Sequence, residues 1–266
     1  QAVMPGPWHS HHGGEGRALF GLIDHDDRPS WKLAEFAGIA KEFAQLEKLG
    51  FPRLQQPQVA IAYAFDNIIA TNLPKEGISN TVRPYINPGY MKQAHAAYEP
   101  LFKRNVDVAV LHVGHEDLSR YKLVIVPGMY FLDEASRTQL RAYVEAGGTV
   151  VMTAQSAKVD DHNQWFRTPL PGGLTDVFGL RTNEFFGAGD LQMRFDNGEA
   201  VKATGAASVE VLEPATAEVL ARFVNVEGQP PALTVNRFGK GRAIYLATVA
   251  QAPLLAPLYE RLFTEL

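Results

Sequence analysis

The chain has 266 residues, 46% apolar and 20% charged, with 23 Gly, 17 Pro, no Cys and a net charge of −4, enough for one large domain or two modest ones. The apolar content excludes disorder along most of the length, and no window approaches the roughly 18 uninterrupted apolar residues of a membrane span. Without Cys there are no disulfides, Cys-ligated zinc sites, iron–sulfur clusters or thiol nucleophiles, and the interspersed charge lacks the basic surface of a nucleic-acid binder.

The chain opens on Gln1 rather than Met, and we expect it to be processed or a piece of a longer polypeptide. Residues 1–29 are punctuated by Pro5, Gly6, Pro7, Gly13, Gly14 and Gly16, and they carry His9, His11 and His12. A short apolar run from Ala18 to Ile23 ends at the turn-like Asp24-His25-Asp26-Asp27-Arg28-Pro29. Ser30 then reads as the N-cap of a helix whose stripe is Leu33, Phe36, Ala40 and Phe43, flanked by Leu46 and Leu49 and stopped by Gly50 and Pro52. So wide an apolar face needs a partner, or drives association if it is left exposed.

After a connector over 51–57, strands alternate with helices. The apolar run Val59–Phe65 reads as a doubly buried strand, followed by a polar stretch over 66–87. A helix over Tyr90–Arg104 contains Pro100, which predicts a kink or break. Strands are expected at 106–113, 123–126 and 149–153, with a helix from N-cap Asp133 to the stop Gly147-Gly148 between the last two. That spacing predicts βαβ units and a parallel sheet covered on both faces. The remainder predicts a short helix at 174–178 and strands at 191–195, 209–212, 219–224, 232–237 and 242–247. Phe238-Gly239-Lys240-Gly241 is a hairpin turn, and a closing helix spans 254–264.

Several chemistries can be weighed on this frame. No phosphate-binding glycine pattern occurs, which argues against flavin or dinucleotide binding, and no cofactor is expected. Class I amidotransferases use a Cys on a strand-to-helix elbow. Ser156, in Ala154-Gln155-Ser156-Ala157-Lys158, lacks the glycines that a Ser elbow would need. His9, His11, His12 and His25, with Asp24 and Asp26, have zinc-ligand chemistry but no enforced geometry, and Asp160-Asp161-His162 reads as a polar loop, so no metal is assigned. Glu15, in Gly13-Gly14-Glu15-Gly16-Arg17 beside Trp8 and the His residues, has the composition of a sugar site. Its plainer reading is a solvated acid or a partner of Arg17.

The stretch from Pro5-Gly6-Pro7-Trp8 through Gly14-Glu15-Gly16 to Gly21-Leu22-Ile23-Asp24-His25-Asp26-Asp27-Arg28-Pro29 resembles the end of the catalytic barrel in β-galactosidases of glycoside hydrolase family 42. Residues 31–50 would be that (β/α)8 barrel's last helix. Tyr98-Glu99-Pro100-Leu101, Leu118–Pro127, Val144–Val151, Pro171-Gly172-Gly173-Leu174 and Gly239–Tyr245 resemble, in order, the same family's trimerisation domain. The resemblance implies a barrel remnant over 1–50, a linker over 51–57, and a flavodoxin-like or class I glutamine amidotransferase-like α/β module over 58–266. It further implies a homotrimer or other homo-oligomer, and a galactoside or related sugar bound by the intact parent. The catalytic glutamates lie on earlier barrel strands in that family, so none is assigned here. Glu15 matches a family glutamate that binds galactose hydroxyls, and Trp8, His11 and His12 are candidate sugar contacts beside it. The family's His three residues later is replaced by Ala18. The rival expectations are a free-standing, non-catalytic ligand-binding or scaffold module, and a stand-alone hydrolase using Glu15 with Asp24 or Asp161.

Overall fold

The computed structural model describes residues 7–15, 21–50, 55–71, 89–205 and 207–265. The chain divides into two compact units, Gln1–Gln55 and Gln56–Leu266.

In the first unit, α1 (Trp31–Glu47) begins after Ser30, whose backbone is extended as an N-cap requires. Its hydroxyl makes no capping bond, however, and is buried without a partner. No residue of α1 is buried, and Trp31, Ile39, Phe43 and Leu46 are all exposed.

The second unit is an α/β fold built on one mixed nine-stranded sheet. Its strands are β1 (Val59–Ala62), β2 (Val108–Leu111), β3 (Leu123–Val126), β4 (Thr149–Thr153), β6 (Leu191–Phe195), β7 (Ala200–Ala203), β9 (Glu218–Phe223), β10 (Pro231–Phe238) and β11 (Gly241–Leu246), in the order β2-β1-β3-β4-β11-β10-β9-β6-β7. The first five positions of that order are mutually parallel and the rest antiparallel, so the predicted parallel sheet describes only half of it. A separate antiparallel ribbon pairs β5 (Leu180–Ala188) with β8 (Ala207–Pro214).

The helices are α2 (Phe65–Thr71), α3 (Tyr90–Lys103), α4 (Glu134–Ala146), the single turn α5 (Thr175–Phe178) and α6 (Ala252–Glu265). The step from β1 to β2 and the step from β3 to β4 run in opposite directions across the sheet. Right-handed crossovers therefore send α3 and α4 to opposite faces, with the switch point between β1 and β3. Burial is complete along β1, β3 and β4, whose Val59, Ile61, Leu123, Val124, Ile125, Val126, Val150 and Val151 form the centre of the core.

Asp133 caps α4 as expected, its carboxylate accepting from Ser136 N at 2.7 Å, and Gly147 closes the helix at φ 124°. The β10–β11 hairpin turns through Gly239 at φ 57°, where a side chain would run into the Glu145 backbone. Besides the parallel sheet, further expectations need correction. The run Val59–Phe65 ends as a strand at Ala62, and Phe65 starts α2, a helix inside the stretch read as polar; the rest of that stretch lies outside the described residues. The strand expected over 106–113 is confined to Val108–Leu111. Pro100 does not break α3, which runs on to Lys103 with Pro100 itself buried. Strands β5 and β7 have no counterpart among the strands that the sequence predicts.

Candidate functional site

The segment 7–15 is tied to the strand-like residues after it. Ser10 N donates to Ile23 O at 2.9 Å and Ile23 N to Trp8 O at 2.9 Å, while the buried Ser10 hydroxyl donates to Ile23 O and accepts from Gly21 N. Gly21 is required by this close approach, because a Cβ there would lie 2.5 Å from Pro7 O and 2.8 Å from His9 C. On this anchor His9, His12 and His25 come together, with ring centroids 5.5 Å apart for His9 and His12 and 5.9 Å for His12 and His25. His9 Nε2 lies 2.7 Å from Asp27 Oδ1, and its other nitrogen 2.8 Å from Ser10 O. These bonds, the Asp27 one foremost, raise the His9 pKa above its ordinary value. Trp8, His11, His12 and Glu15 are all exposed. Ala18 lies outside the described residues. Among the described residues no group of three or more His, Asp or Glu side chains is arranged to hold a metal ion. Asp160 is a loop organiser, its Oδ1 accepting from His162 N at 2.9 Å and Gln164 N at 3.0 Å.

In the second unit, the place where open α/β sheets bind ligands is the crevice beyond the C-terminal ends of β1 and β3. Protein fills it. The buried Asn67 of α2 exchanges two bonds with the Phe131 backbone, donating to its O at 2.9 Å and accepting from its N at 2.8 Å. Ala64 N donates to Tyr90 OH at 3.0 Å, and the Gln93 amide occupies the space a Cβ at Gly128 would need.

Beyond β4 the backbone makes a sharp elbow. Gln155 adopts φ 66° and Ala157 φ 51°, left-handed conformations that side chains resist. The strained position is the one a nucleophile elbow uses. Gln155 has no nucleophile to offer: its amide nitrogen donates to Ser208 Oγ at 3.0 Å and its backbone N–H to Glu210 Oε1 at 2.8 Å. Ser156 is fully buried, accepting from Met129 N at 3.1 Å.

Glu210, 0% exposed, also pairs with Lys158, 1% exposed, at 2.7 Å, and accepts from Tyr245 OH at 2.7 Å. Lys158 Nζ reaches Thr182 Oγ1 at 3.3 Å as well. Burial, reinforced by the Glu210 charge, pushes the Tyr245 phenol well above its ordinary pKa, so it stays a donor. No sequence motif singles out Lys158, Gln155, Glu210 and Tyr245 as a group. The signal in the sequence is Glu210 set between Val209 and Val211, an acid directly flanked by β-branched apolar residues. Chemically the cluster is a buried network of donors and acceptors, in which the Gln155 amide oxygen meets no hydrogen-bond partner among the described residues. It joins the β4 elbow, β5, β8 and β11 and presents no free nucleophile or acid.

A family model described as the β-galactosidase trimerisation domain matches residues 57–266. The β-galactosidase bgaB of Geobacillus kaustophilus is 30% identical over 234 residues, which cover 87% of this chain and 33% of that protein. The solved β-galactosidase of Bacillus circulans sp. alkalophilus superposes with a TM-score of 0.82 at 27% identity, over 96% of this chain and 38% of that one. Gan42B, a family 42 β-galactosidase from G. stearothermophilus, gives a TM-score of 0.81 at 25% identity over 97% of this chain and 37% of that one. The chain thus spans about a third of the length of the curated relatives it matches. Over its second unit, which carries the whole mixed sheet and the buried Lys158–Glu210 cluster, the chain belongs to the β-galactosidase trimerisation domain family.

Proposed function

We propose that this chain is the oligomerisation portion of a β-galactosidase-like retaining glycoside hydrolase, holding three copies together while hydrolysis runs on carboxylates outside these residues. The observation that carries the reading is the family match over residues 57–266, joined to a sheet edge that is plugged by protein where a ligand crevice would lie. In this reading residues 1–50 are the end of the catalytic barrel and 51–57 the linker. Glu15 takes sugar hydroxyls, and Trp8, His11 and His12 contribute further contacts. All four stand exposed on one segment pinned through Ser10, which supports access to a ligand. The parallel half of the sheet, ordered β2-β1-β3-β4-β11, has the strand sequence of flavodoxin-like folds, and the elbow at Gln155 supports an amidotransferase-like ancestry without its nucleophile. Sedimentation of the purified chain should give a trimer, and an aryl β-galactoside should not be turned over. Clear turnover that is lost in Glu15→Gln would overturn the assignment of catalysis to residues elsewhere.

A further inference from the structure

Resting on the trimerisation reading, we propose that the C-terminal edge of the parallel strands is the surface on which a second copy of this chain docks. Five large apolar side chains stand exposed there, from 36% for Phe185 to 64% for Ile69, the others being Phe65, Met91 and Trp165. They come from separate elements that the structure links in series along this edge. Tyr63, just past the end of β1, donates its hydroxyl to Met91 Sδ at 3.3 Å, and α2 with Phe65 and Ile69 starts two residues later. Asn67 of α2 is bonded to Phe131 beyond β3. Phe131 bridges to Val159 beyond β4, Val159 bridges to Trp165, and Trp165 stacks on Phe185 of β5 with ring centroids 5.8 Å apart.

The five side chains leave on the order of 500 Å² of apolar surface in water, from the ~150–250 Å² an aromatic side chain carries. A patch of that size is near the largest that monomers tolerate, and a stable interface buries ~800 Å² per partner. A small ligand does not fit the place, because the switch-point crevice behind the rim is filled by Asn67, Tyr90 and Gln93. What is left is a broad apolar rim on a domain whose family is described by its trimerisation, and a second copy is the occupant this favours. In a closed three-fold ring each interface joins two different patches, so the rim is one half of each contact.

The test is sedimentation velocity of the whole chain at micromolar concentration. The wild type should run as a trimer. Ile69→Glu combined with Trp165→Glu should run as a monomer with an unchanged far-ultraviolet circular dichroism spectrum. Phe102→Lys, at the far end of α3, should leave the trimer intact. Because the chain has no Cys, Ile69→Cys and Phe102→Cys give a second measurement that needs no disruptive charge. In the trimer, maleimide should label residue 69 at least about tenfold more slowly than residue 102. A trimer that survives the double substitution, or equal labelling at the two positions, overturns the location alone. A wild-type chain that stays monomeric overturns the trimerisation reading itself.

Discussion

Lys158→Met is the substitution whose cost follows most directly from the geometry. At the 2.7 Å separation from Glu210, and an effective dielectric constant of ~20, the two charges attract by about 6 kcal/mol. Much of that offsets the desolvation of two side chains that water does not reach. Removing the ammonium abolishes the attraction and leaves the desolvation of Glu210, which keeps only the Gln155 N–H and the Tyr245 hydroxyl as donors. The expected loss is about 3–5 kcal/mol, a large part of a domain's ~5–15 kcal/mol. Adding Glu210→Gln to Lys158→Met removes the stranded charge and should restore about half of that loss. Urea unfolding followed by circular dichroism, at one fixed protomer concentration, reads both numbers. A Lys158→Met variant that loses less than about 1 kcal/mol, or a double variant that regains none of the single variant's loss, would refute a tightly coupled buried pair.

Three further outcomes follow from named contacts. Asp133→Ala removes the side-chain bond to the α4 N-terminus at Ser136 N and should lower stability by about 1 kcal/mol in the same titration, with Asp133→Asn close to wild type. Gly21→Ala should separate the 7–10 segment from residues 21–23, seen as faster hydrogen exchange at Ser10 and Ile23 while the core amides of β3 and β4 keep their protection. The raised pKa of His9 means that its pairing with Asp27 stabilises fully below the ordinary His value of about 6.5 and is lost as pH rises through the folded-state pKa. A proton NMR titration should show the His9 midpoint falling in Asp27→Asn, and an unmoved midpoint would contradict that cause.

Local signals in the sequence correspond closely to local structure. Asp133 and Gly147-Gly148 bracket α4 because capping and left-handed termination involve only neighbouring residues, and Gly239-Lys240 marks its hairpin for the same reason. The β5 strand was hidden because Leu180–Ala188 is mostly exposed and has no clean two-residue alternation. Its identity comes from pairing with β8, a tertiary fact. Helix α2 was masked by the apolar run into Phe65, where periodicity cannot separate the end of a strand from the first turn of a helix. The first unit shows the converse. Trp8, His11, His12 and Glu15 were singled out by composition, yet the organising residues of their segment are Ser10 and Gly21, whose roles depend on a close backbone approach that sequence does not reveal. The family resemblance was legible because it rests on the order of many weak motifs, and it holds over residues 57–266.

The register between β4 and β11 sets a timetable for synthesis. Thr149 to Thr153 pair with Arg242 to Leu246, so one side of β4 has no partner until β11 has left the ribosome. During that interval Val150 and Val151 stand at an open, hydrophobic sheet edge, the kind of template on which nascent chains mispair. The antiparallel strands β6 to β10 emerge within the same interval and can assemble locally, so that β11 arrives already joined to β10 by its two-residue turn. Closure of the nine-stranded sheet then becomes a single docking of two preformed halves along β4, and this late, long-range step is where slow folding and aggregation of the chain should concentrate.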